Sequence, residues 1–205
     1  MSALVTWRSD DGRSLEGTRL LIGEGGLRAL GRMVHGGGNA DVPPFTASYR
    51  LVVEPDGTLR RLAVTSATAG RERHLTLNRT DDGFWLLDTG SGGGRSDFDR
   101  AVDVDLAFSP MFNTLPIRRL GLHRGPGEHL LKVVFVALPE LTAEVVDQRY
   151  RAVSPLGEGE RPGEAVVGFT WNTFTAELVV DADAVVTSYP GVASRLPDPA
   201  PATST

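Results

Sequence analysis

The stretch FTASYRLVVEPDGTLRRLAVTSA, residues 45–67, decides the fold class. Apolar and polar residues alternate along both of its arms, which is the period of a half-buried β-strand. Between the arms stands Pro55-Asp56-Gly57, where the glycine supplies the positive φ that a tight hairpin needs. The stretch therefore predicts two antiparallel strands, 45–54 and 58–67, joined by a short turn.

The same alternation runs through most of the chain and predicts an antiparallel meander of about twelve strands. The other strands are predicted at residues 15–22, 27–34, 74–78, 84–88, 102–108, 117–123, 130–136, 166–171, 174–181 and 185–189. Residues 141–153 fit either a helix or a strand, and we predict an extended conformation there. The glycine-rich segments 36–39 and 90–95 are predicted to be loops or lids, because they are too soft to pack.

So many strands in one domain must hide their edges and their apolar face, which a barrel, a sandwich or a rolled sheet can do. A sheet of that size leaves either a ligand cavity or a space that something must plug. Residues 51–56 and 178–183 have similar sequences at a constant offset of 127, which fits either two similar halves or chance. We predict one domain over residues 1–196 and a disordered tail over 197–205, which has too little apolar surface to order.

The composition excludes several classes of function. The chain has 205 residues, 40% of them hydrophobic, and no cysteine, which rules out a disulfide framework, a thiolate nucleophile and zinc-finger ligation. It has no run of about 18 apolar residues, and its start is polar, so we expect a cytoplasmic protein without stable membrane insertion. The net charge of −5 predicts neither nucleic acid nor an anionic membrane as a partner.

The most informative segment is residues 103–120. On a strand, Asp103 and Asp105 share one face, while the adjacent Arg118 and Arg119 point to opposite faces, so one arginine points inward. Three interpretations stay open: an ion pair between one carboxylate and that arginine, a ligand site to which Asn113 and Thr114 also donate hydrogen bonds, or a catalytic carboxylate pair.

Histidine and aromatic residues supply the remaining candidates. His123 follows the arginines closely enough to reach a carboxylate, although a solvated strand end is the simpler interpretation. Tyr150 and Tyr189 have an apolar body and a polar tip, which suits either a lipid cavity or ordinary core packing. No pair of histidines has the spacing of metal ligands, and neither a serine elbow nor a phosphate loop is present.

The run Asn113-Thr114-Leu115-Pro116-Ile117-Arg118-Arg119-Leu120, preceded by Asp103-Val104-Asp105-Leu106, resembles the signature of a bacterial family. That family is known as "putative glycolipid-binding" and is catalogued as a domain of unknown function, and weaker similarities extend from Trp7 to Arg195. The chain departs from its pattern at Arg100-Ala101 and at Ser109-Pro110-Met111-Phe112. The resemblance implies a single-domain rolled antiparallel sheet, a spiral β-roll or incomplete barrel like that of bacterial lipoprotein carriers, and a lipid or glycolipid ligand.

Two functions are therefore predicted. In the first, the protein holds an amphiphilic lipid or glycolipid inside the sheet, without catalysis, cofactor or metal, and the ligand-binding residues are Asn113, Thr114, Arg118, Arg119, Tyr150 and Tyr189. In the alternative, a hydrolase-like enzyme acts on such a ligand through Asp103, Asp105 and His123. The oligomeric state is left open, with a homodimer among the options.

Overall fold

The computed structural model describes residues 1–38, 42–158 and 162–197, and their strands form one sheet. One short α-helix, α1, lies at Thr114–Arg119, and 3-10 helices lie at Phe98–Arg100 and Pro110–Asn113. In chain order the strands are Ser2–Ser9 (β1), Ser14–Gly23 (β2), Gly26–His35 (β3), Phe45–Val53 (β4), Leu59–Thr68 (β5), Glu72–Arg79 (β6), Trp85–Asp88 (β7), Gly93–Ser96 (β8), Asp103–Leu106 (β9), Glu128–Val136 (β10), Ala143–Ser154 (β11), Ala165–Trp171 (β12), Phe174–Val180 (β13), Val186–Tyr189 (β14) and Ala193–Arg195 (β15).

The sheet consists of two halves that meet at β1. Strand β1 pairs with β2 on one side and with β15 on the other, so the N-terminal half is β1–β8 and the C-terminal half is β9–β15. Neighbouring strands are antiparallel except for β9 and β10, which are parallel. Strands β8 and β9 lie at the two ends, and the sheet is open rather than closed into a barrel. The predicted all-β, incompletely closed antiparallel sheet is confirmed.

The inner face of the sheet carries two hydrophobic cores. Trp7, Leu62 and Trp85 belong to one core, which the N-terminal half forms together with residues of β9, β10 and β15. Phe169 and Leu178 belong to the other core, which lies in the C-terminal half. The segment 110–122, which contains α1, contributes buried side chains to both cores. This segment therefore fills much of the space that a sheet of this size would otherwise leave empty.

The prediction of a strand at 117–123 is wrong, because α1 and a following turn occupy this part of the chain. Pro110 and Pro116 lie in the first turns of the 3-10 helix and of α1, where a missing N–H costs no intrahelical hydrogen bond. Helix α1 lies between the two cores, so its apolar residues are buried on more than one side. Their spacing therefore fits the period of a strand as well as that of a helix. Arg118 and Arg119 consequently do not point to opposite faces of a strand.

Other parts of the secondary structure were predicted with mixed success. The extended conformation predicted at 141–153 is confirmed by β11. The glycine-rich segment 90–95 is not wholly a loop, because Gly93–Ser96 forms β8 by pairing with β7. The predictions lacked β1, β8 and β15. Strands β8 and β15 have only four and three residues and depend on their pairing partners, whereas β1 was missed although its eight residues include the buried Val5 and Trp7.

The two similar stretches at an offset of 127 form turns with the same hydrogen bonds. The N–H of Glu54 donates to the carbonyl of Thr58, and the N–H of Gly57 donates to that of Glu54, both over 2.9 Å. At the equivalent positions, Asp181 donates to Val185 over 3.0 Å, and Ala184 donates to Asp181 over 2.9 Å. Gly57 and Ala184 both have a positive φ, 85° and 66°, and a register shift precedes each turn. The correspondence is thus structural and supports the interpretation of two similar halves.

Two further predictions concern the chain as a whole. The described part of the chain contains no helix with the length and hydrophobicity that a membrane span requires. Residues 198–205, most of the predicted disordered tail, and residue 39 of the predicted loop at 36–39 lie outside the described residues. The disorder of the tail and the domain boundary at residue 196 stay predictions.

Candidate functional site

A cavity of about 430 Å³ opens on the inner face of the C-terminal half. Half of its lining residues are aromatic, and their rings contact one another: Phe135 and Trp171 have centroids 4.7 Å apart, and those of Phe169 and Tyr189 are 5.9 Å apart. Phe108 and Phe174 also line the cavity, and each remains 38% exposed, which places them at its mouth. The lining residues are Asp105, Leu106, Ala107, Phe108, Ser109, Asn113, Phe135, Phe169, Trp171, Phe174, Tyr189 and Val192.

Asp105 and Asn113 give this cavity a polar end and belong to one buried hydrogen-bond network. Asn113 Nδ2 donates to the hydroxyl of Tyr150 over 2.9 Å, and that hydroxyl donates to Gln148 Oε1 over 3.0 Å. Gln148 Nε2 in turn donates to Asp105 Oδ2 over 2.7 Å. Burial raises the pKa of Asp105 to about 6, although the Gln148 hydrogen bond opposes that shift. The network fixes the orientation of both polar groups that line the cavity.

Ser109 connects the cavity to a second buried carboxyl group, that of Glu16 on β2. Ser109 Oγ donates to Glu16 Oε1 over 2.7 Å, and the Tyr49 hydroxyl donates to the same oxygen over 2.5 Å. Burial raises the pKa of Glu16 to about 7 against these hydrogen bonds, and Oε2 has no hydrogen-bond partner among the described residues. Glu16 was not among the predicted site residues. The sequence does carry a signal for it, which is an acidic residue at an inward-facing position of an alternating strand.

Asp103 lies in a different environment from Asp105. It is only 2% exposed, and its carboxylate forms a two-pronged ion pair with the guanidinium of Arg119, whose Nε lies 3.2 Å from Oδ1. The ion-pair interpretation of this segment is therefore confirmed, although the arginine comes from α1 and not from a neighbouring strand. This pair attaches α1 to β9.

A second, more polar pocket of about 250 Å³ lies next to the C-terminal end of α1. Arg118, Arg119, His123 and Arg124 line it together with the β2–β3 and β4–β5 turns, and it shares no lining residue with the aromatic cavity. Arg118 Nη1 lies 3.5 Å from the carbonyl oxygen of Asp183. His123 is buried, its ring nitrogens have no hydrogen-bond partner among the described residues, and burial lowers its pKa.

The structure thus divides the predicted site residues between two places. Asn113 and Tyr189 line the aromatic cavity, and Tyr150 lies directly behind Asn113. Arg118 and Arg119 line the polar pocket, whereas Thr114 is buried and its hydroxyl has no hydrogen-bond partner in the described part of the chain.

The alternative set of catalytic residues is divided as well. Asp105 lines the aromatic cavity, His123 lines the polar pocket, and Asp103 lines neither. Within the described residues, no group of three His, Asp or Glu side chains is arranged to hold a metal ion.

Comparisons with known proteins give two kinds of similarity. A family model described as "Putative glycolipid-binding" matches residues 4–195. The fold is similar to that of a DUF1089 family protein from Pseudomonas aeruginosa, with 26% identity, a TM-score of 0.70, and coverage of 93% of this chain and 95% of that one. A beta-barrel-like protein of the DUF1849 domain from Brucella abortus matches with 10% identity, a TM-score of 0.44, and coverage of 91% and 82%. None of the curated proteins matches the chain.

Proposed function

The chain belongs to the family described as "Putative glycolipid-binding", and from that premise we propose that it binds a lipid with an uncharged, hydroxyl-rich head group. The acyl chain lies in the aromatic cavity, and the head group lies at its polar end. The observation that carries this proposal is the combination of a 430 Å³ apolar cavity with Asp105, Ser109 and Asn113 in its lining. Its volume is in the range of small-molecule sites.

The aromatic wall supplies most of the affinity in this proposal. Each methylene moved from water into such a wall contributes about 0.8 kcal/mol, so a short acyl segment is enough for measurable binding. Phe108 and Phe174, both half-exposed at the mouth, are placed to cover the part of the chain nearest to solvent.

The polar end selects the head group. Hydroxyl groups of a sugar can donate to the Asp105 carboxylate and can pair with the Asn113 amide and the Ser109 hydroxyl. The residues that line the cavity include no arginine, lysine or histidine, so a phosphate there would meet only the negative charge of Asp105. A glycolipid therefore fits this cavity better than a phospholipid.

Arg118 and Arg119 have no ligand role in this proposal. Arg119 neutralises Asp103, and both arginines line the separate polar pocket. We also assign no catalytic step, because Asp103, Asp105 and His123 are divided between separate environments. A cytoplasmic setting and the oligomeric state stay predictions, which cell fractionation and light scattering would test.

The test is native mass spectrometry of gently purified protein, followed by organic extraction and titration with a fluorescent fatty-acid probe and a defined glycolipid. We expect one amphiphile per chain that denaturation releases, and competition between the glycolipid and the probe. Ala107→Trp fills the cavity from its half-exposed rim and should lower probe affinity at least tenfold, since it displaces the equivalent of about two methylenes.

The matched control is Ala67→Trp, which changes an alanine of similar exposure on β5 away from the cavity. This variant should bind the probe like the parent protein. Protein that carries no amphiphile and also refuses the probe would overturn the proposal. Equal losses in both tryptophan variants would show that the cavity is not where the probe binds.

A further inference from the structure

Strands β1–β5 contain seven exposed arginines, and six of them lie on the outer face, where these strands carry no carboxylate. The seventh, Arg60, lies at the register shift of β5 and forms ion pairs with Glu54 and Asp81. Alternation places Arg8, Arg19, Arg28, Arg32, Arg50 and Arg61 on the side of the sheet that faces away from the core. The only acidic residue within these five strands is Glu16, which points inward and is buried. A chain with a net charge of −5 thus concentrates positive charge on one surface.

The six outer-face arginines have no counter-ion in the part of the chain that the structure describes. Among the described residues none of the six takes part in an ion pair, and Arg61 only donates a hydrogen bond to Asn78. Like charges on one face repel one another, so this arrangement costs free energy unless an external anion is present.

Exposed aliphatic side chains alternate with the arginines across the strands. The paired residues Leu4, Arg19, Leu30 and Arg50 form one row from β1 to β4. Leu4 is 69% exposed and Val34, on the same face, is 58% exposed. A second row runs through Leu21, Arg28, Val52 and Arg61.

We propose that this outer face, the surface of β1–β5 defined by the six arginines, docks onto an anionic lipid bilayer. Guanidinium groups bind phosphate bidentately, and the interleaved leucines and valines can bury among lipid chains at the headgroup boundary. A nucleic acid fits less well, because single strands are bound by aromatic stacking and this face carries no Phe, Tyr or Trp. The expectation from net charge missed this surface, because it averages over the whole chain.

Docking does not depend on the cavity, and the two proposals can fail separately. The experiment is co-sedimentation of the full chain with vesicles of phosphatidylcholine alone or with about one third phosphatidylglycerol, over a series of salt concentrations. We expect binding to the anionic vesicles only, weakening as salt rises because salt screens exposed charges. Probe binding to the cavity in solution is measured on the same samples.

Charge-neutralising variants locate the surface. Each basic residue near an anionic membrane is worth about fivefold in binding, so Arg19→Gln with Arg50→Gln should weaken it about 25-fold. The control is Lys132→Gln with Arg149→Gln, which removes the same charge from β10 and β11 and should leave binding unchanged. Both pairs are solvent-exposed, so circular dichroism should show intact folds.

Three results would overturn the proposal. The first is no binding to anionic vesicles, or equal binding to phosphatidylcholine. The second is the same loss in the control pair, which would make net charge the cause and not this face. The third is tight binding of a polyanionic RNA without vesicle binding, which would assign the face to nucleic acid.

Discussion

The two halves of the sheet share one ladder of hydrogen-bonded strands but use its two sides in opposite ways. In the N-terminal half, the inner side is filled by a core, and six arginines on the outer side of β1–β5 form no ion pair with any residue that the structure describes. In the C-terminal half, the inner side leaves the aromatic cavity, and the outer side of β10 and β11 pairs its charges, Lys132 with Asp147 and Arg149 with Glu128. Whether a side chain packs in a core, lines the cavity or lies exposed therefore depends both on the half of the sheet and on the face of the sheet to which it belongs.

The largest expected loss comes from breaking the ion pair that joins β9 to α1. Arg119→Met leaves the Asp103 carboxylate buried without its ion-pair partner, which should lower the free energy of unfolding by about 3–5 kcal/mol. Urea denaturation would measure this loss. The double variant Arg119→Met with Asp103→Asn should regain most of it, and no recovery would mean that Arg119 acts through packing alone.

A smaller effect should appear as a pH dependence that belongs to the N-terminal half. Burial raises the pKa of Glu16 to about 7, so the folded protein keeps this proton to a higher pH than the unfolded chain does. The contribution of Glu16 to the free energy of unfolding is therefore fully present below about pH 4.5, where the carboxyl is protonated in both states. It is lost as pH rises through 7, by up to about 3 kcal/mol.

Glu16→Gln isolates this contribution. Its neutral side chain should flatten the decline between pH 5 and 8 relative to the parent protein, as measured by urea denaturation at each pH. Asp105, in the C-terminal half, adds its own decline up to about pH 6 and should do so in both proteins. Parallel pH profiles for parent and variant would show that the Glu16 carboxyl is not held protonated.

The difference between a filled and a hollow inner side predicts a variant that loses binding more than stability. Phe174→Ala removes a half-exposed ring at the cavity mouth and should cost only about 1 kcal/mol of stability while lowering probe affinity about tenfold. Leu86→Ala on β7 is the control, since Leu86 is 42% exposed and lies outside the cavity lining. Similar probe affinities for the two variants would place the acyl chain elsewhere.

The smallest effects distinguish the two outer faces by their sign. Arg149→Gln breaks an exposed pair with Glu128 and should lower stability by a few tenths of a kcal/mol. Arg50→Gln relieves repulsion among the six outer-face arginines and should raise stability slightly, by a similar amount. Thermal unfolding at low salt compares the two, and high salt should erase both shifts. Shifts of the same sign would show that the outer faces do not differ.

Alternation was sufficient to predict the parts of the fold in which one face of a strand is buried and the other is exposed. The hairpin at 45–67 became β4 and β5, and their buried and exposed residues alternate along most of their length. Strand β8 could not be predicted in the same way, because its glycines carry no pattern and pairing with β7 makes it a strand. The prediction was wrong at helix α1 for another reason. This helix is buried between both cores, so its hydrophobic residues show no single period.

The site was predictable only where residue chemistry determines the partner. A carboxylate in the segment 103–120 needed an arginine, and Asp103 has one. The aromatic cavity depends on Phe135, Trp171 and Phe174, which come from separate strands and meet only in the folded sheet. The charge of the outer face of β1–β5 could not be predicted from composition, because composition sums the charges of both faces and both halves.

The place of β1 in the middle of the sheet gives this fold an order of assembly during translation. Within this chain β1 leaves the ribosome before the other strands, and β2 can pair with one of its edges at once. Its other edge waits for β15, which is the last of the described strands in chain order. Until then β1 presents unpaired backbone groups, the kind of edge on which other chains can add strands. A nascent chain stalled before residue 193 therefore keeps an open seam that the finished protein no longer has.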